Sequence, residues 1–252
     1  MHLSGIRTKI SPTRLRRISV ALMCLGVLLI ICDAAYLVLT LSTAPTAARP
    51  PRAIPTVSPS SLYTSVTGRK PLLDDILDGK HPGSWGLYRQ AQSAYRFQGS
   101  ALHATMTAGT FPALIECPLR NETFSNLAIQ VRFTILAGSQ SFVGLFFRAD
   151  QQQTHMYRFY IDFYGDYAFS TEQRGEPVGT NLAIFQAGLQ AHKTLTLTVI
   201  ALKTSFFLYL DQNYLRTVSD ASYSAGEIGL FVSRGNGEAT DIAFRQAKVW
   251  NL

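Results

Sequence analysis

The segment from residue 155 to residue 163 carries the side chains best suited to binding chemistry. Arg158, Tyr160 and Asp162 alternate there with apolar residues, and this spacing places the three on one face of a β-strand, opposite the core. A guanidinium donor, a phenol ring and a carboxylate in one row can hydrogen-bond sugar hydroxyl groups and pack against the apolar side of a sugar. Arg148, on the preceding strand-like run, is predicted to share that face. The pattern therefore predicts a ligand-binding site at Arg148, Arg158, Tyr160 and Asp162.

Two other interpretations of this face stay open. In the first, it is an ordinary solvent-facing strand whose charged residues form cross-strand pairs. In the second, another sheet covers it and leaves Arg158 and Asp162 as a buried ion pair, which is costly to break. The loops around Asp150 and Asn236 are the next candidates for a ligand site.

Carboxylates arranged for glycoside hydrolysis are not apparent in the sequence. Such catalysis needs two carboxyl groups about 5–9 Å apart across the sugar bond. One arrangement places a Glu-x-Asp-x-Glu pattern on a single strand, and this chain lacks it. Asp162 and Asp166 form the nearest acidic pair, but a Tyr-Gly turn separates them, and we interpret them as turn acids. No catalytic residue is predicted, and a carboxylate pair that the pattern does not reveal stays open as an alternative.

Metal and thiol chemistry find little support. The histidines show no metal-ligand spacing such as HxxxH, and no CxxC motif occurs. Cys117 is the single cysteine after residue 70 and is interpreted as a buried thiol. Asp150 as a calcium ligand is a weaker alternative, because calcium takes several oxygen ligands and no dense aspartate cluster is seen. No cofactor and no metal are therefore predicted.

An apolar run of 24 residues spans 18–41 and contains a single charged residue, Asp33. As a helix it would be about 36 Å long, enough to cross a hydrocarbon core of about 30 Å. Residues 1–17 hold five basic side chains and no acid, so the positive-inside rule puts this tail in the cytoplasm and everything after Leu41 outside. A cleavable signal peptide is the rival interpretation, but its apolar region would end near residue 31, whereas the run continues. We predict a single-pass transmembrane helix over 18–41 in the cell membrane.

The basic charge of the chain lies outside its predicted folded part. Residues 42–70 hold five of the eleven prolines and ten serines or threonines, a composition that predicts an extended linker. The net charge is +7, yet residues 71–252 hold 14 basic and 15 acidic side chains. A basic stripe for nucleic acid is therefore not supported, and no nucleic-acid partner is predicted.

Short runs of alternating apolar residues recur through residues 71–252, separated by turn-forming residues. No convincing helical stretch of ten residues occurs after Leu41. About a dozen strands without helices indicate an all-β, two-sheet antiparallel jelly-roll sandwich. The last strand, which ends near Trp250, is expected to pair beside the first strand, near residue 72.

Six segments follow one another along this domain: LLDDILDGKHPGSWGLY, FSNLAIQVRFTIL, FVGLFFRAD, HMYRFYIDFYGDYAF, KTLTLTVIALKTSFFLYLDQNYLRTVSD and GEIGLFVSRGNGEATDIAFRQAKVW. Their order resembles the concanavalin A-like sandwich domains of bacterial surface proteins, and is similar to the laminin-G-like and 3-keto-disaccharide-hydrolase-like relatives. The resemblance implies that Trp85, preceded by Asp74 and Asp75, is a packing residue. It implies a fold rather than a function, because this superfamily includes lectins, glycosidases and adhesion modules.

Together these observations favour a non-catalytic module that is tethered to the cell membrane, faces outward, and binds or senses a glycan or a cell-surface protein. An anchored glycoside-processing enzyme and a structural envelope protein are the two alternatives. Glycan binding without turnover would favour the first interpretation. Hydrolysis that is abolished by loss of one carboxylate would favour the second, and neither result is expected for the third.

The membrane assignment is tested by the fate of the N-terminus. Protease added to intact cells should remove the C-terminal domain and leave a small membrane fragment, because residues 18–41 stay attached as a helix with the N-terminus inside. Sequencing of the purified protein should find the original N-terminus. A mature N-terminus at Ala35 would contradict the prediction.

Overall fold

The alternating pattern forms strands in the computed structural model, which describes residues 58–80, 83–109, 113–178, 193–235 and 237–252. One compact unit runs from Val57 to Leu252. The described part of this unit contains the following elements: α1 (Pro59–Thr67), β1 (Leu73–Asp75), β2 (Ser93–Gln98), β3 (Ala101–Met106), β4 (Leu114–Phe124), β5 (Leu127–Ala137), β6 (Phe142–Ala149), β7 (His155–Asp162), β8 (Tyr167–Gln173), β9 (Glu176–Val178), β10 (Thr194–Leu202), β11 (Ser205–Leu210), β12 (Asn213–Ser219), β13 (Gly226–Ser233) and β14 (Thr240–Asn251).

These strands form two antiparallel sheets that pack face to face. The back sheet has the order β12-β11-β10-β5-β14-β3-β2, with β1 beside β14, and the front sheet has the order β4-β13-β6-β7-β8-β9. Leu73 of β1 lies opposite Val249 of β14, so the predicted pairing of the first and last strands is confirmed. The predicted all-β, two-sheet antiparallel sandwich is confirmed as well.

The core between the sheets follows from period-2 alternation. On β5 of the back sheet, Ile129, Val131 and Phe133 are fully buried, and they belong to the same apolar cluster as Phe147 and Phe159 of the front sheet. Alternate residues on each strand therefore fill one shared core, and the remaining residues stand on the two outer faces.

The buried side chain of Asp75 holds the chain segment after β1 by hydrogen bonds. Asp75 accepts hydrogen bonds from the indole Nε1 of Trp85 at 2.9 Å and from the backbone of Leu77 and Gly83, each at 2.7 Å. Trp85 also forms a β-bridge to Leu119 of the front sheet. Trp85 is therefore a packing residue that links the two sheets, as the resemblance implies.

A helix lies where the sequence predicts an extended linker, since α1 falls within residues 42–70. Ser58 caps its N-terminus by accepting from the backbone of Ser61 at 3.2 Å, and a proline occupies the first turn. Tyr63 and Val66 are buried in an apolar cluster on the outer face of the back sheet. An isolated helix of this length is marginal, so docking on the sheet stabilises α1, and composition alone does not reveal it.

Among the described residues, no helix is long and apolar enough to cross a membrane. The predicted tail 1–17, the predicted membrane helix 18–41 and the first part of the predicted linker lie outside the described residues. Their assignments stay predictions.

The docking of α1 is testable with Tyr63→Ala. Tyr63 is buried against Tyr209, with ring centroids 5.0 Å apart, and its hydroxyl accepts from Gln130 Nε2 at 2.9 Å. Its removal should lower the free energy of unfolding by about 3 kcal/mol, measured by urea denaturation with tryptophan fluorescence. Ser60→Ala, on the exposed side of the same helix, is the control and should change it by less than about 0.5 kcal/mol. Equal values for the two variants would show that α1 is not part of the stable unit.

Candidate functional site

The register of the front sheet sets which residues of β7 face outward. Tyr157, Phe159 and Ile161 belong to the core between the sheets. Arg158 lies opposite Phe146 on β6 and Ser170 on β8. These side chains, with their alternate neighbours Met156, Tyr160 and Asp162, stand on the outer face, as the alternation predicts.

Arg158 joins two carboxylates that come from opposite sides of the front sheet. Its Nη2 lies 2.6 Å from Oε1 of Glu116 on β4, and its Nη1 lies 3.2 Å from Oε2 of Glu172 on β8. We call Glu116, Arg158 and Glu172 the Arg158 bridge. Because β4 and β8 are four strand spacings apart, about 19 Å, the three side chains together span most of the sheet.

Rings and glycines surround the bridge. The Arg158 guanidinium lies over the ring of Phe231, 5.2 Å from its centroid, a geometry of cation–π attraction. The Tyr160 ring meets the Phe231 ring edge to face, with centroids 5.6 Å apart. A Cβ at Gly229 would lie 2.3 Å from Cζ of Phe146, and one at Gly144 would lie 2.6 Å from Cβ of Tyr160. The two glycines therefore make the room in which these side chains pack.

The bridge is mostly buried and incompletely hydrogen-bonded. The side chains of Arg158, Glu116 and Glu172 are 10%, 15% and 4% exposed. Within the described residues, Nε of Arg158 and Oε2 of Glu172 have no hydrogen-bond partner, although Oε2 makes the 3.2 Å ion pair, whose geometry is not that of a hydrogen bond. Oε1 of Glu172 accepts from the hydroxyl of Ser170. Unpaired buried polar atoms are rare in folded proteins, so this face has an unused donor and an unused acceptor.

Burial is the main influence on the pKa of the Glu116 carboxyl. It raises the pKa of this carboxyl above the ordinary value of 4.5, while Arg158 lowers it and Glu172 raises it further. Burial also raises the pKa of the Tyr160 phenol. Glu116 and Tyr160 both keep partial exposure on this face.

Asp162 closes the turn after β7 rather than pairing with Arg158. Its Oδ1 accepts from the backbone N–H groups of Tyr164 and Asp166, each at 2.9 Å. Burial raises the pKa of Asp162 despite these hydrogen bonds. The acid pair at 162 and 166 therefore belongs to a turn, as interpreted from the sequence. The alternative of a buried Arg158–Asp162 pair is wrong, because Arg158 pairs with Glu116 and Glu172 instead.

The structure does not bring Arg148 to this face. Its φ of 51° lies in the left-handed region, and the pairing of β6 with β13 shifts register between Glu227 and Ile228, a bulge that redirects the side chain. Its guanidinium lies 5.1 Å from the centroid of the core residue Phe206 and donates to the carbonyl of Ser125 at 2.6 and 3.0 Å. The expectation that Arg148 shares a face with Arg158 is corrected: Arg148 ties loops together at the end of the sandwich.

Asp150, one of the two loop candidates for a ligand site, already accepts hydrogen bonds from donors of this chain. It accepts from Nδ1 of His155 and from the Thr154 hydroxyl, each at 2.8 Å, and from the Thr154 backbone at 2.7 Å. Burial would raise its pKa, but these hydrogen bonds outweigh burial and lower it to about 2. Within the described ranges, no cluster of three His, Cys, Asp or Glu side chains could hold a metal ion. The other loop candidate, Asn236, lies outside the described residues, and Cys117 is a buried free thiol.

Sequence reasoning missed both carboxylates of the Arg158 bridge. Glu172 could have been found by counting residue pairs back from the turn at Tyr164-Gly165, because that turn fixes the pairing of β7 with β8. Glu116 could not have been found in this way, because β13 and β6 lie between β4 and β7 in the sheet. This strand order does not follow the order of the strands along the chain.

Comparison with solved structures finds several that share the β-sandwich fold of this domain. The carbohydrate-binding module CBM66 from Bacillus subtilis matches with a TM-score of 0.54 and 18% identity, covering 67% of this chain and 96% of that one. Bacillus licheniformis β-glucanase matches with a TM-score of 0.55 and 11% identity, over 71% and 98% of the two chains. A Bacillus subtilis protein of unknown function with a galectin-like fold has a TM-score of 0.56 and 12% identity, over 73% and 96%. At such identities the likeness shows the fold alone.

No family model and no curated protein matches the sequence.

Removing the central charge of the bridge should expose its energetic role. Arg158→Gln leaves two buried carboxylates unpaired, so the free energy of unfolding should fall by about 3–5 kcal/mol at pH 7. The raised pKa of Glu116 rises further without Arg158, and a carboxyl with a raised folded pKa favours the folded state at low pH. Part of the loss should therefore be recovered as the pH falls from 7 toward 5.

Urea denaturation at pH 5, 6 and 7 measures this effect. Arg216→Gln, which removes an exposed arginine on β12, is the matched control and should change stability by less than about 0.5 kcal/mol. If Arg158→Gln is no worse than this control, the bridge contributes nothing to stability.

Proposed function

We propose that this chain is a membrane-tethered, extracytoplasmic module that binds a glycan without cleaving it, through the outer face of the front sheet. The observation that carries the proposal is the Arg158 bridge beside the Tyr160 ring. It supplies fixed donors and acceptors next to an aromatic surface, which is the combination that sugar rings require.

The polar atoms of this face are oriented before any ligand arrives. The two ion pairs hold the Arg158 guanidinium in place, and the ring of Phe231 packs against it. A ligand therefore does not have to order these side chains, and preorganisation of this kind improves affinity. A ligand can reach this face at Glu116 and Tyr160, whose side chains are partly exposed.

The fold supports a role with glycans by analogy. One of the similar structures is described as a carbohydrate-binding module and another as a β-glucanase, so this support is an analogy between folds and the site itself carries the proposal. The apolar run 18–41 and the proline-rich segment after it support tethering, since they could hold the domain away from a cell membrane.

A glycan screen with the full-length chain, run with and without calcium, tests this proposal. In the binding proposal, Tyr160→Ala weakens the affinity for the best saccharide at least tenfold, about 1.4 kcal/mol, in a variant that thermal melting shows to be folded at the assay temperature. Tyr214→Ala removes an exposed tyrosine from β12 of the back sheet and should leave the affinity unchanged. Unchanged affinity in Tyr160→Ala would move the site away from the front sheet.

A second candidate, a glycoside-processing enzyme, is favoured by one observation. Glu116 and Glu172 both contact the terminal nitrogens of one planar guanidinium, so the contacting oxygens lie no more than about 8 Å apart, a limit compatible with the separations that glycoside hydrolysis uses. The raised pKa of Glu116 suits a general acid. Binding is preferred because Arg158 pairs with both carboxylates and leaves neither free to act as nucleophile or base.

Product analysis separates these two candidates. Saccharides that bind in the screen should remain intact after prolonged incubation with the protein. Hydrolysis by the wild-type chain that disappears in Glu116→Gln, while Tyr214→Ala retains it, would establish the enzyme instead.

A further inference from the structure

A groove of about 660 Å³ lies at the edge of the back sheet, away from the Arg158 bridge. It is bordered by β2, β3 and the chain just before β2, and we call it the arginine groove. Its polar lining includes Arg89, Gln92, Arg96 and Thr105. None of the described residues that line it is acidic.

The strand pairing places the Arg89 and Arg96 side chains on the same side of the sheet edge. Arg89 forms an antiparallel bridge with Ala94, and Arg96 follows two residues after Ala94, so all three side chains point to one side. Diagonal neighbours of this kind have Cβ atoms about 7–8 Å apart. Ala94 is small and buried, and it leaves open space between the two guanidinium groups.

The groove also contains polar groups in fixed positions. Arg96 Nη2 donates to Oγ1 of Thr105 at 3.3 Å, which holds its guanidinium across Ala94.

The charge balance around the groove favours an anion. Arg89 is exposed and forms no ion pair within the described residues. The nearest carboxylate by register, Asp241, lies beyond Thr105 and is bonded to Nδ1 of His103 at 2.8 Å. Arginine pairs in this geometry suit planar carboxylates and sulfates.

We propose that the arginine groove is a second binding site, which takes an acidic saccharide with its carboxylate or sulfate between Arg89 and Arg96. The volume supports a saccharide over a free ion, because it falls in the range of about 300–1,000 Å³ that organic ligands occupy. The amide of Gln92 and the hydroxyl of Thr105 match ring hydroxyls beside the anion. The site lies on the other sheet from the Arg158 bridge and does not depend on the proposed function.

Tri-galacturonate and its fully methyl-esterified form are the probes, because esterification removes the charge and keeps the sugar rings. Calorimetry with the full-length chain at constant ionic strength should find binding of the acid and at least tenfold weaker binding of the ester. The double variant Arg89→Gln/Arg96→Gln should lose at least tenfold in affinity for the acid.

The control Arg174→Gln/Arg216→Gln removes the same charge from two exposed positions and should lose less than twofold. Equal losses in the two double variants would show that the groove contributes only net charge and would overturn the proposal. Inorganic sulfate that competes at the same concentration as tri-galacturonate would show a site for small anions and would overturn the saccharide assignment. Affinity for a neutral saccharide at the Arg158 bridge should be the same in all these variants, so the failure of one proposal is distinguishable from that of the other.

Discussion

Each core strand of the sandwich gives one of its two faces to the shared core, and this constraint decides where binding chemistry can occur. Alternate residues such as Ile129 and Phe159 are fully buried between the sheets, where dense packing leaves no room for a ligand. Polar side chains that act on other molecules must therefore stand on the outer faces or at the edges. Both proposed sites obey this rule: one lies on the front sheet and one at the edge of the back sheet.

On the front sheet, the buried charges explain the form of the site. An arginine buried without partners would be strongly destabilising, so Arg158 requires carboxylates, and Glu116 and Glu172 reach it from strands on either side. The rings of Phe231 and Tyr160 then pack against the bridge. The same contacts that make Arg158 tolerable also hold it in one orientation, and a fixed orientation is what a ligand site needs.

The back sheet uses its outer face differently. At one side, Tyr63 and Val66 of α1 cover apolar residues of the sheet, including Ile200 and Trp250. At the opposite edge, small Ala94 stands between two arginines and leaves a groove. The outer face of the back sheet thus carries a docked helix at one side and an open polar groove at the other. Large apolar side chains project under the helix, whereas a small alanine between two arginines projects at the groove.

Much of the fold was predictable from the sequence, because period-2 alternation over segments such as 127–135 is strong and Gly-rich turns separate the strands. The outward direction of Arg158 and Tyr160 follows from the same alternation. Arg148 was placed on the wrong face because a β-bulge reverses the alternation, and a bulge has no reliable sequence signal. Glu116 was missed because its contact depends on the order of strands in the sheet, which the spacing of residues along the chain does not give.

The sharpest test of the account is whether a bound saccharide touches Arg158. Its Nε–H is a buried donor without a partner in the described structure, and its NMR signal can be followed in the full-length chain labelled with ¹⁵N-arginine. Titration with the tightest neutral saccharide from the glycan screen should shift the Arg158 Nε–H signal and leave that of Arg216 unchanged. A saturable titration in which the Arg158 signal does not move would contradict the claim that the front sheet binds the glycan.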